Sequence, residues 1–224
     1  MVEIAVVNCL DSSFQCWAIL IALGKCANGL PQLLRLLALV HAAQEVVSTF
    51  RKLFRAFSAQ SLNRSPLLES FQAASAAPET WPLVLLAHSG PTGLGSDASS
   101  ICGRDWKHPH IDWGDRDLAI ALETMRRRRA ADLVVFGHMH HSLRGGKGER
   151  LTFLRDRYGT AYVNAACVPR SGTDDAGQTL IHFTWVEFEG RHLTLVSHRW
   201  FHPNGTLAYE QTLFRQPSES VSPC

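Results

Sequence analysis

The chain has 224 residues, enough for one domain with a sizeable core, and 46% of them are hydrophobic against 19% charged. That balance excludes a disordered chain, and a formal net charge of +2 with scattered basic residues gives no reason to expect nucleic acid as a partner. Six cysteines, at 9, 16, 26, 102, 167 and 224, show no Cys-x-x-Cys spacing, which points to reduced thiols inside a cell.

From the start of the chain, residues 15–60 read as helices. Leu30, Leu33, Leu34, Leu37 and Val40 form an apolar stripe that Val46, Val47, Phe50, Leu53 and Phe54 continue, and such a face is expected to be core. The apolar run Trp17–Leu23 is ended by Lys25 and Asn28, well short of the roughly 18–20 residues a bilayer needs, so no membrane span is expected. Ser65-Pro66 and the Ala-Ala-Pro-Glu-Thr stretch at 76–80 break the pattern and place a boundary between 58 and 80.

Pro82-Leu-Val-Leu-Leu-Ala-His88 is an apolar strand that empties into a Gly-rich loop, Ser89 to Gly95. Asp115 to Met125 opens with acidic residues, puts Leu118, Leu122 and Met125 on one face and runs into Arg126–Arg129, which reads as a helix with a solvated, dipole-complementing end. Leu133 to Phe136 is wholly apolar, as in a strand covered on both faces, and Gly137 then permits a sharp turn into His138-Met139-His140-His141. Strand, helix and strand make a βαβ unit, and ligands gather at the carboxyl ends of such strands, so His88, His138 and His140 are expected to converge. Neutral imidazole is a common nitrogen donor for Zn and similar ions, and this makes the three candidate metal ligands. Farther on, Leu180–Phe188 alternates, Glu189-Gly190 turns, and Leu193–Phe201 runs back as an antiparallel hairpin, with a frayed tail after Phe214.

These residues carry a family resemblance. Gly137-His138-Met139-His140 resembles the last metal motif of the calcineurin-like metallophosphoesterases, and His88 stands where their preceding single-His motif belongs. Together with Ile101–Trp106 and Tyr162–Arg170, the blocks resemble a plant and cyanobacterial branch of that superfamily over residues 62–200. The resemblance implies an α/β fold: an incomplete metallophosphoesterase-type β-sandwich flanked by helices. Residues 1–61 would be a divergent, mainly helical N-terminal segment, 62–214 the second half of the phosphoesterase domain, and 215–224 a flexible tail. It implies His88 and His138 on one divalent ion and His140 on its neighbour, with Mn, Zn or Fe as the metal. It further implies hydrolysis of a small-molecule phosphoester at a cytoplasmic or plastid location.

The family's upstream motifs, Asp-x-His, Gly-Asp-x-x-Asp and Gly-Asn-His, do not occur. The first eighty residues hold Asp11, Glu3, Glu45, Glu69 and Glu79 as their carboxylates, and none stands in those patterns. Without a bridging carboxylate, two closely spaced cations repel, so activity is expected to be weak or nil and no general acid can be assigned. The alternative is a non-catalytic truncated or spliced product acting as a binding module. If the run from Glu3 to Val7 were the family's first strand, Cys9 and Asp11 would fall near the first motif. Arg104 and His141 are read as substrate-side groups, with a structural salt link between Arg104 and Asp105 as the competing reading. His182, His198 and His202 are read as ordinary strand or surface residues, Asn164 and Cys167 as packing near the site, and His108 and His110 as a loop or an adventitious metal pair.

Overall fold

A computed structural model describes residues 2–11, 14–23, 79–144 and 148–217, the first two segments as backbone. In chain order the elements are β1 (Val2–Asp11), β2 (Phe14–Leu23), β3 (Val84–Leu86), α1 (Arg116–Arg126), β4 (Leu133–Phe136), β5 (Phe153–Arg155), β6 (Ala161–Asn164), β7 (Ser171–Thr173), β8 (Thr179–Glu189), β9 (His192–Phe201) and β10 (Leu207–Arg215). They form two sheets. One has four strands in the order β3-β4-β6-β5, and the other runs β10-β9-β8-β1-β2 with β7 also on β8. With one helix among the described residues, this is a mostly-β version of an α/β fold.

The βαβ unit is as read from the sequence. Strands β3 and β4 are parallel in the register Val84↔Leu133 to Leu86↔Val135, with α1 as the crossover. Strand β6 adds parallel to β4, and β5 adds antiparallel to β6. The unbroken apolar run of β4 follows from its two covered faces. Val134 and Phe136 pack with Leu118, Leu122 and Met125 of α1, while Leu133 and Val135 pack with Val186, Phe188, Leu193 and Val196 of the antiparallel sheet. Each such side chain removed from water contributes about 1.5–3 kcal/mol before ordering costs. Asp115 caps α1 by accepting the Leu118 N–H at 3.0 Å.

The sequence reading needs correction in three places. Residues 15–23 are strand β2, paired with β1 from Cys9↔Cys16 to Val2↔Leu23, and not helix. A short apolar run has no period that separates the two states, so a neighbouring strand decides. The remainder of the expected helical stripe, residues 24–60, lies outside the described residues, as do 58–78 of the expected boundary. Strand β1 pairs with β8 in the antiparallel sheet, so it is not a strand of the sheet that carries the histidine loops. Finally, the basic run after α1 is not simply solvated. Arg126 donates to Glu123 at 2.6 Å, and Arg129 is buried, donating to the Trp81 carbonyl and to Asp132. No described helix is long and apolar enough to cross a membrane.

Candidate functional site

The carboxyl ends of β3 and β4 deliver His88 and His138 side by side. Ala87 donates to the Val135 carbonyl at 2.9 Å and Gly137 to the His88 carbonyl at 3.1 Å, so the two loops leave the sheet stitched together. Their rings meet edge to face, with centroids 4.8 Å apart. Burial, then the neighbouring His138, lowers the His88 pKa below the ordinary imidazole range, against an opposing pull from Asp115. Burial, then His140, does the same for His138. Both rings are therefore neutral near pH 7, the form with a free lone pair.

The backbone at His138 is under strain. Its φ is +66°, and Met139 donates to the Gly137 carbonyl at 2.7 Å, closing a γ-turn centred on His138. A non-glycine residue held there costs on the order of 1–3 kcal/mol, and such strain concentrates where a side chain must be aimed. The Nδ1 of His138 is buried and has no hydrogen-bond partner among the described residues.

His140 is exposed, and its proximity helps to lower the His138 pKa. Among the described residues, no group of three or more His, Cys, Asp or Glu side chains is placed to hold a metal ion together. The structure thus pairs His88 with His138 and sets His140 beside them without closing a three-donor cluster.

Two residues that sequence reading passed over or undervalued hold these loops. Asn164, fully buried at the end of β6, donates from Nδ2 to the Met139 carbonyl at 2.7 Å and accepts the Ala166 N–H at 3.0 Å. Arg150 is buried and donates from Nε to the His140 carbonyl at 3.0 Å, from Nη1 to the carbonyls of Ala98, Ser100 and Gly103, and from Nη2 to Asp105 at 3.1 Å. A guanidinium whose donors all find acceptors fixes several loops at once. Gly90 brings the loops closer still, because a Cβ there would lie 2.5 Å from Cys102 Sγ and from the Phe136 ring.

The two substrate-side candidates are placed differently from each other. Arg104 donates to the Pro109 carbonyl at 2.6 Å and lies over the Trp113 ring, 5.2 Å from its centroid, while Asp105 pairs with Arg150 rather than with Arg104. His141 turns into the protein. Its Nε2 shares a 2.9 Å hydrogen bond with the Asn164 carbonyl, and its ring packs 4.7 Å from His198 and 6.2 Å from His182.

His182 and His198 are not surface residues. Each is 4% exposed, their centroids are 5.0 Å apart, and the Nε2 of both is buried without a hydrogen-bond partner among the described residues. Burial pushes the pKa of His141 down to about 4, His182 to about 3 and His198 to about 2; at His141 the Asn164 hydrogen bond opposes the shift while His140 and Arg150 add to it, at His182 the His141 ring adds to it, and at His198 both His141 and His182 do. His202 lies 3.9 Å from Asp174, and the His108 and His110 rings are 4.1 Å apart on their own loop. Cys167 is half-buried and directs its thiol toward the Pro169 carbonyl. No protein-family model matches the chain, and no curated protein matches it significantly.

Proposed function

We propose that the ends of β3 and β4 form the surviving half of a metal-assisted phosphoesterase centre, with His88 and His138 as ligands of one divalent ion. The paired neutral rings, one of them on a strained turn with an unpartnered buried nitrogen, carry this reading. The donor set fits one ion in part: two imidazoles suit Zn, Mn or Fe, and further ligands would be water or substrate oxygens. It does not fit two ions, because His140 has no carboxylate partner and no three-donor group is present among the described residues.

A divalent cation supplies Lewis-acid neutralisation of a phosphoryl group's charge. This chain's residues do the positioning. His88 and His138 offer lone pairs on adjacent strand ends, the γ-turn aims His138, and Arg150 and Asn164 hold the carbonyls of the His140 and Met139 residues that follow. His140, exposed beside the pair, faces arriving phosphoester from the solvent side. The second reading is a non-catalytic phosphate-ester binding module, which the lack of the Asp-x-His, Gly-Asp-x-x-Asp and Gly-Asn-His motifs in the sequence favours.

The purified chain, titrated with Zn²⁺ and Mn²⁺, distinguishes the two. The phosphoesterase reading expects one ion per chain and turnover of an aryl phosphate that His138→Ala abolishes. One ion without turnover favours the module, and no ion lost on His138→Ala refutes the site.

A further inference from the structure

The loop from Arg104 to Trp113 carries two further imidazoles, and Arg104 arranges them. It donates its N–H to the Ile111 carbonyl at 2.9 Å and donates from Nη2 to the Pro109 carbonyl at 2.6 Å. Its own carbonyl accepts from Nδ1 of His110 at 2.9 Å. Trp113 N–H closes the base of the loop on the Cys102 carbonyl. The tip, His108-Pro109-His110, is thereby held in place, with the two rings 4.1 Å apart at their centroids and inclined by 53°.

The bond at His110 fixes its tautomer. A carbonyl only accepts, so Nδ1 carries the proton and Nε2 keeps its lone pair. An imidazole that donates one ring N–H to a backbone carbonyl is oriented, and made more basic, for metal binding through the other nitrogen. His108 is exposed and has no hydrogen bond among the described residues, so a change of side-chain torsion brings a nitrogen to the same point. The carboxylates of the loop are engaged elsewhere. Asp105 is held by Arg150 and the Arg144 amide, and Asp112 by the amides of Gly93 and Gly114. The imidazoles are therefore the open donors of this tip. Lys107 and Arg104 beside them add positive charge, which disfavours an ion held by charge alone and leaves those that bond strongly to neutral nitrogen.

The ring spacing selects among such ions. With metal–nitrogen bonds of about 2.0–2.1 Å, two imidazoles on one ion have centroids about 4.5 Å apart at a right angle and about 5.2 Å apart at the tetrahedral angle. The observed spacing is nearer the first, the angle of a square-planar or tetragonal ion. We propose that His108 and His110 form a metal site separate from the strand-end pair, taking Cu²⁺ ahead of Ni²⁺ and Zn²⁺, with water in the remaining positions. Mn²⁺, at the weak end of the affinity order for nitrogen donors, is left to other sites.

The test is equilibrium dialysis of the full chain against Cu²⁺ at neutral pH, beside His108→Asn and His110→Asn. Both substitutions lie on an exposed loop tip, and all three proteins keep His88 and His138, so the difference between them is independent of what the strand-end pair binds. Each variant is expected to lose one Cu²⁺ per chain, its affinity falling about ten-fold or more. The pulsed paramagnetic-resonance signal that disappears is expected to show two coordinated imidazoles. Ni²⁺ and Zn²⁺ are expected to follow the same pattern more weakly. Equal uptake by the three proteins marks adventitious copper on other histidines and overturns the proposal, as does a loss in only one variant or a lost signal with a single imidazole. So do tighter binding of Zn²⁺ than of Cu²⁺ at this tip, and absence of Cu²⁺ binding at a Kd below about 0.1 mM.

Discussion

Acidification is expected to destabilise this protein through its buried imidazoles, His182 and His198 foremost beside His141. His182 and His198 face each other on the inner side of the β8–β9 hairpin, with His141, Thr184 and Trp200 as the groups packed against them. Folding holds their pKa values near about 3 and about 2, whereas the ordinary value is 6.5. Between those limits the unfolded chain binds protons that the folded chain refuses, so the stability is full above pH 6.5 and is lost as pH falls toward the folded values. At about pH 5 the unfolded state gains about 1.5 pH units' worth of protonation at each ring, about 2 kcal/mol, or about 4 kcal/mol for the pair. Against a total of about 5–15 kcal/mol, that is a large fraction. Urea denaturation at about pH 7.5, 6 and 5 measures it, with the double variant His182→Gln/His198→Gln as control. The variant's stability is expected to change by about 4 kcal/mol less than that of the unmodified chain over this range. Parallel pH dependences in the two proteins would sink the reasoning, because the proton uptake would then lie elsewhere.

Arg150→Met removes the cation from a buried pair and leaves Asp105 and several carbonyls without it, so a loss of about 3–5 kcal/mol in urea stability is expected. A loss below about 1 kcal/mol would show that water replaces the guanidinium. At His138 the usual ranking should reverse: His138→Gly is expected to be more stable than His138→Ala by about 1 kcal/mol, since only glycine relaxes at φ +66°. Equal thermal midpoints would mean that the turn is not strained. Gly90→Ala drives a methyl into Cys102 and Phe136 and is expected to cost about 1–3 kcal/mol, and an unchanged midpoint would mean that those side chains yield freely.

The β3-α1-β4 unit was readable because its signals are local: a capping aspartate, a helical apolar stripe and an uninterrupted strand. Residues 15–23 were misread because the same apolar run satisfies strand and helix until β1 is known to lie alongside. His182 could have been placed inside from sequence alone, as it shares the parity of Thr184, Val186 and Phe188 along β8. His198 could not, because a register shift opposite Glu187 and Phe188 skips Thr194 and changes which residues of β9 face inward. Arg150 left no trace in the sequence, since its acceptors are spread from Ala98 to His140 and meet only after the loops are folded. The pairing of His88 with His138 followed from strand order, whereas the inward turn of His141 depended on Asn164 waiting at the end of β6.

The neighbours His140 and His141 lie on opposite sides of one backbone, the first toward solvent and the second toward the hairpin. The γ-turn at His138 and the hydrogen bonds that hold the Met139 and His140 carbonyls fix this backbone, so removing or adding a single residue between Gly137 and His141 would displace both imidazoles from their sides. This pentapeptide should therefore tolerate replacement of its side chains far better than any change in its length, and loop-grafting or gene-shuffling experiments should find it indivisible.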